Sequence, residues 1–315
     1  MADKEMRAVY AETLAALADE GKDVLVVEAD LMKATGTTAF AKRHPARAIN
    51  VGVAEANLVG VASGLSAGGK IPFAATFGCF ASRRAYDQFF LSANYAQLNV
   101  KLVGTDPGVT AALNGGTHMP LEDLALMRAV PRLSIVEPSD PVSLAAFVRI
   151  AAEKYGCFYI RLQRKAAPAI YPEGEKFELG KAKVLREGGV GKAGAVTLVA
   201  LGALMVGEAK KAAELLAAEG IEADVVDALC LAPLDAQTIL RLARKSSKVV
   251  SCENHRVTGG LGSAIAELLA ESGTPAKLAR IGAGADEFGE VGPQDWLAER
   301  FKLTAPHIAA AAKRL

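Results

Sequence analysis

Glu55 is the one acid in the stretch NVGVAEANLVGVASGLSAGG (residues 50–69), where an apolar run gives way to a helix-like segment crowded with small residues. A carboxylate in such surroundings is costly unless it has a partner or a task. His118 stands in GGTHMP (115–120), behind a glycine pair that frees the backbone, and offers a proton-active ring from a loop. Phe77 and Phe80 stand three residues apart in TFGCF (76–80). Each has a plain structural reading on its own: a first-turn acid favoured by the helix dipole, a surface histidine, two core rings. The sequence holds no HExxH, paired CxxC, EF-hand, Walker or GxSxG pattern, so a metal centre of this chain's own is not expected. GGLGSA (259–264) could seat an anion at a helix start. Without an adjoining lysine or a downstream acid it reads as a structural turn.

These residues need elements to hold them, and the chain alternates strand-like and helix-like segments throughout. RAVYAETLAALADEG, ending at Gly21, is expected as a helix, DVLVVEAD as a strand, ARAINVGVA as a second strand and KIPFAATF as a third. SRRAYDQFFLSANYAQL (82–98) reads as one helix, with NVKLVGTD, RLSIVEPSD and CFYIRL as further strands. Such alternation predicts an α/β fold with a mainly parallel sheet and helices on both faces. A stretch with Pro, Gly and charges but no helical period follows Arg164. It divides the chain into a first domain over residues 1–170, a linker over 171–182 and a smaller α/β domain over 183–315. Ligands of open α/β sheets bind at the carboxyl ends of strands. Asp30, Glu55, the 76–80 turn, the 105–118 loop and Arg164 all fall at such ends, and all lie in the first domain.

The bulk composition narrows the partners. Among 315 residues, 36 Lys and Arg against 35 Asp and Glu leave a net charge of +1, which offers no electrostatic reason to expect nucleic acid or an anionic membrane. No apolar run approaches the roughly 20 residues that span a bilayer. The N-terminal segment is charged and amphipathic, without an apolar signal core. Cys79, Cys157, Cys230 and Cys252 are far apart and are expected to be reduced thiols, so a cytoplasmic protein is expected.

INVGVAEANLVGVASGLSAGGKIPFAATFGCF, GGTHMPLEDLALMRAVPRLSIVEPSD and ENHRVTGGLGSAIAELLAE occur in the order found in the transketolase family. Over essentially its whole length the chain resembles the C-terminal subunit of split transketolases. The resemblance implies a thiamine diphosphate pyrimidine-binding domain followed by the transketolase C-terminal domain. It makes Glu55 the catalytic glutamate that hydrogen-bonds N1′ of the cofactor's aminopyrimidine, the relay through which the thiazolium C2 proton is lost. It makes Phe80, with Phe77 beside it, the aromatic that stacks on that ring, and places Asp30 near the cofactor. His118 matches a histidine facing the ketose donor, and Arg164 and Arg7 match arginines that bind the substrate's phosphate. The family's GDG motif and downstream NN pair, which hold Mg²⁺ and the diphosphate, are missing from these residues. The resemblance therefore implies an N-terminal partner subunit that supplies that half, in a heterotetramer of two large and two small chains.

The chain also departs from the family pattern. Where transketolases read GEDGPTHQ or GEDGATHQ, it reads ALNGGTHM, which sets Asn114 in place of a hydroxyl-binding acid. Thr105 replaces a histidine of the usual phosphate pocket, and Arg83 stands where an aromatic one turn after Phe80 is usual. Loss of a hydroxyl-reading carboxylate alters discrimination among polyols. The expectation is transfer of a two-carbon ketol unit, with a branched, deoxy or sulfonated sugar and ordinary xylulose 5-phosphate both open as donors. The alternatives are the β subunit of a 2-oxo-acid dehydrogenase, a deoxyxylulose-phosphate-synthase-like enzyme suggested by RAYDQ (84–88), and a catalytically silent assembly subunit.

Overall fold

A computed structural model describes residues 4–188 and 195–315. Six short apolar runs form parallel strands: β1 (Val24–Glu28), β2 (Ala48–Asn50), β3 (Ile71–Phe77), β4 (Lys101–Thr105), β5 (Ser134–Val136) and β6 (Phe158–Leu162). They lie in the order β5-β6-β4-β3-β1-β2, so the chain crosses over between them through helices on the two faces. The register aligns the ends that matter. Phe77 lies beside Thr105 and Thr105 beside Leu162, which brings the loops after β3, β4 and β6 to one edge.

The second domain holds β7 (Lys183–Arg186), β8 (Val196–Leu201), β9 (Ala223–Asp227), β11 (Lys248–Arg256) and β12 (Lys277–Ala283), in the order β12-β11-β8-β9-β7 with only β7 antiparallel to its neighbour. One strand crosses the divide. β10 (Cys230–Ala232) leaves the second domain and pairs antiparallel with β5, becoming the seventh strand of the first sheet. Three residues carry no period that sequence reading can detect.

Residues 166–182 form no helix, yet they are tied down. Asp140 caps the helix Pro141–Glu153 through Ser143, and its second oxygen accepts from the backbone N–H groups of Ile170 and Tyr171 at 2.9 and 3.0 Å. Tyr171 then donates to Asp227 at 2.7 Å, and its ring meets Phe177 edge-on. A buried polar lock joins the two domains. Arg161 donates to both oxygens of Asp123, to Glu137 and to the Asn254 carbonyl, at 2.8–2.9 Å, with no side-chain exposure. Asn254 in turn donates to the Pro107 carbonyl and accepts from the Val109 N–H, both in the loop after β4.

The helix Glu55–Ala67 buries Leu58, Val59 and Ala62 and leaves Ala56, Gly60 and Gly64 outward. A Cβ placed on either glycine would meet nothing within 4 Å. Val53, Leu91 and Tyr95 are also exposed. No helix among the described residues is long and apolar enough to cross a membrane.

Candidate active site

Glu55 is the first residue of its helix and is 2% exposed. The buried acid has a partner: both carboxylate oxygens accept from Arg84 Nη1, at 3.0 and 2.9 Å. The same guanidinium lies over the Phe80 ring, its Cζ 4.2 Å from the centroid. The Arg84 side chain is itself 51% exposed. The segment expected as one regular helix is wound as π-helix over Phe80–Arg84 and again over Phe89–Tyr95, with a short α-turn between. Such widened turns are frequent at functional sites.

Three rings form a wall beside Glu55. Phe77 and Phe80 are 6.0 Å apart, and the half-buried His118 ring meets them edge-on at 5.8 and 5.2 Å. His118 Nδ1 is 2.9 Å from the Thr117 hydroxyl. Arg83 supports this loop instead of joining Glu55: its Nη2 donates to the Thr117 carbonyl at 2.9 Å and its Nε lies 3.2 Å from Glu122. Arg84, which the family motif does not single out, takes the place beside Glu55. Phe80's neighbours at i+3 and i+4 share one helix face, so the sequence alone does not choose between the two arginines.

The second domain reaches this loop. A Cβ on Gly116 would fall 2.1 Å from the Gly289 carbonyl oxygen, so the two backbones touch directly. Arg256 holds the Gly289 segment in place by donating to the carbonyls of Gly284, Ala285 and Glu287. This contact joins residues far apart in sequence, and no motif announces it.

The far end of the site is cationic. Arg164 Nε donates to Asp106 Oδ1 at 2.6 Å and its Cζ lies 5.2 Å from the Phe77 ring centre. Arg7 adjoins it through the backbone, its N–H donating to the Arg164 carbonyl, while its side chain reaches Glu5 and the carbonyls of Lys33 and Ala34. Burial pushes the Asp106 carboxyl above the usual range, against the pull of Arg164, Arg7 and Lys165. Asp106 and Ala112 both carry positive φ, 58° and 48°, in the loop after β4. Such strain persists where the surroundings over-determine it. Thr76 Oγ1, Thr105 Oγ1 and Asp106 Oδ2 are buried without a hydrogen-bond partner, which few native polar groups tolerate. Asp30 is exposed and exchanges hydrogen bonds with Asn50 at 2.9 and 3.1 Å, and Asn114 is exposed beside Leu113.

The glycine-rich turn at 259–264 is filled from within. Glu253, fully buried, accepts from the N–H groups of Leu261 and Gly262 at 2.7 and 2.9 Å, so the start of the helix Leu261–Glu271 has no place for an outside anion. All four cysteines are buried and unpaired in the structure. Among the described residues no group of three or more His, Cys, Asp or Glu is placed to hold a metal ion.

Comparison with known proteins agrees with this geometry. Residues 2–169 match the pyrimidine-binding domain of transketolase and residues 180–308 its C-terminal domain. A 6-deoxy-6-sulfo-D-fructose transketolase subunit, SqwH, of Clostridium sp. (strain MSTE9) is 50% identical over 98% of this chain and 93% of its own length. A putative transketolase C-terminal section of Methanocaldococcus jannaschii is 40% identical over 97% of this chain and 94% of its own. A split gene transketolase solved as an inactive β4 tetramer superposes with a TM-score of 0.89 at 42% identity, covering 98% of this chain and 97% of that one. This chain belongs to the thiamine diphosphate-dependent transketolase family, among the C-terminal subunits of its split members.

Proposed function

We propose that the chain is the pyrimidine-side half of a two-chain transketolase that moves a two-carbon ketol unit from a ketose with a sulfonate or similar anion at its far end to an aldose. The observation that carries this reading is the line from Glu55 through the Phe77–Phe80–His118 wall to Arg164. It sets a proton-transfer group, an aromatic face and an anion anchor along one edge of the sheet.

The residues fit the aminopyrimidine. A flat hydrogen-bond donor, the Arg84 guanidinium, already sits against both the Glu55 carboxylate and the Phe80 ring, which supports a seat for a planar, nitrogen-bearing group there. Thiamine diphosphate, when bound, supplies the electron sink for breaking the ketose C2–C3 bond. Glu55 holds a proton between its carboxylate and the ring nitrogen opposite, shielded from water by its burial at the helix start. Phe80 and Phe77 set the plane of the bound ring. With the Thr117 hydroxyl engaged at Nδ1, His118 keeps Nε2 for a substrate oxygen. Arg164 spends only Nε on Asp106, so its two terminal nitrogens can form a bidentate contact with a sulfonate or phosphate. The Thr105 hydroxyl lies buried and unpartnered at the end of β4, next to Asp106.

The sulfonated donor is favoured by the similarity to the sulfofructose transketolase subunit, together with Thr105 in place of the family's histidine and Asn114 in place of its acid. The transketolase subunits of matching extent favour ketol transfer over 2-oxo-acid chemistry. The reading assigns Mg²⁺ and the diphosphate to an N-terminal partner subunit, as the similarity to C-terminal sections and subunits of split transketolases favours. The outward Ala56–Gly60–Gly64 face, with Val53 and Tyr95 exposed beside it, suits close packing of a second copy inside an α2β2 assembly. The test is to combine this chain with the partner, thiamine diphosphate and Mg²⁺ and supply 6-deoxy-6-sulfo-D-fructose, fructose 6-phosphate and xylulose 5-phosphate with ribose 5-phosphate as acceptor. Two-carbon mass shifts fastest from the sulfonated donor support the reading. Decarboxylation of a 2-oxo acid, with no transfer from any ketose, refutes it.

A further inference from the structure

We infer that Arg84 is an internal stand-in for the aminopyrimidine, a latch that occupies its seat until the cofactor displaces it. The inference rests on the thiamine diphosphate reading above. Arg84 makes the two contacts on which that reading depends: hydrogen bonds from Nη1 to both oxygens of Glu55 and a position over the Phe80 ring, its Cζ 4.2 Å from the centroid. A guanidinium and an aminopyrimidine are both planar donors, and one face of the Phe80 ring cannot carry both at once. The two occupants therefore exclude each other.

The latch solves a physical problem. An empty site would leave a 2%-exposed carboxylate with no counter-ion, which is costly in a low-dielectric setting. Arg84 relieves that cost from within the chain. Its own side chain is half in water, so it can leave without burying a charge elsewhere. The π-wound turn from Phe80 to Arg84 brings the guanidinium back over the ring at the start of that turn. Arg83, one residue earlier, is committed to the Thr117 carbonyl and Glu122 and cannot take over. Two consequences follow. The cofactor binds against the lost Arg84–Glu55 pair, which lowers its affinity. The chain without cofactor is steadier for having the pair.

Calorimetric titration of thiamine diphosphate, with Mg²⁺, into the two-chain complex tests this for wild type, Arg84→Gln and Arg84→Lys. The expected result is tighter binding by Arg84→Gln, about tenfold, with Arg84→Lys between the two because an ammonium keeps the charge opposite Glu55 but not the planar group over Phe80. In this chain without cofactor, Arg84→Gln should lower the melting temperature, and the loss should vanish in an Arg84→Gln/Glu55→Gln double mutant. Equal or weaker cofactor binding by Arg84→Gln, with the wild type binding normally, overturns the latch and leaves the cofactor reading standing. No binding by wild type or either variant overturns the cofactor reading and the latch together.

Discussion

Two buried glutamates meet the starts of helices in this molecule, one from within the helix and one from a strand, and they are built for opposite ends. Glu253, on β11, accepts from two backbone N–H groups at the start of the helix Leu261–Glu271 and is fully enclosed. Glu55 sits at its helix start without such a cap, held instead by a side chain half exposed to water. Around Glu253 the first turn of the helix is satisfied and shut. Around Glu55 lie an aromatic wall, strained loop residues and three unpartnered polar atoms at nearby strand ends. A carboxylate bound to backbone is architecture; one bound to a movable side chain is available for exchange.

The contrast breaks if the two acids respond alike to mutation. The largest effect should come from Glu55→Gln, which keeps the shape but removes proton transfer. Ketol transfer by the assembled complex should fall by about 10²- to 10⁴-fold with the chain still folded, as read by initial rates and circular dichroism. Glu253→Ala should do the reverse. It strands two buried N–H groups and should cost about 3 kcal/mol in urea unfolding, with the transfer rate of the folded fraction little changed.

A third buried charge, at the opposite end of the first sheet, sharpens the comparison with a smaller effect. Lys101 begins β4, is fully buried, and donates to Asn99 and to the carbonyls of Lys154 and Gly156 without a carboxylate nearby. Burial pulls its ammonium down to about 7 from an ordinary 10.5. Between those values the unfolded chain binds the proton and the folded chain does not, so this group makes stability rise with pH across that window. Urea midpoints measured from pH 7 to 10 should climb more steeply for wild type than for Lys101→Met.

Much of this was legible in the sequence because it is local. Alternating apolar runs and helical periods marked β1, β3, β4 and β6, and their ends carried Glu55, Phe77, Phe80 and Arg164. The motif around His118 joined them to one site. Legibility failed wherever the deciding contact was distant or the winding irregular. Arg84 was hidden because two adjacent arginines share Phe80's face until the π-turn separates them. The Gly116–Gly289 contact and the transfer of β10 to the first sheet depend on how the domains meet, which no window of sequence encodes. Asp30 and Asn114 matched a motif, and the fold leaves both exposed, Asp30 paired with Asn50.

The most direct measurement runs Glu55→Gln and Glu253→Gln side by side in the two-chain complex, recording two-carbon transfer and urea stability for each. The account predicts that Glu55→Gln abolishes nearly all transfer while unfolding close to wild type, and that Glu253→Gln retains transfer while unfolding at lower urea. Undiminished transfer by Glu55→Gln would contradict it.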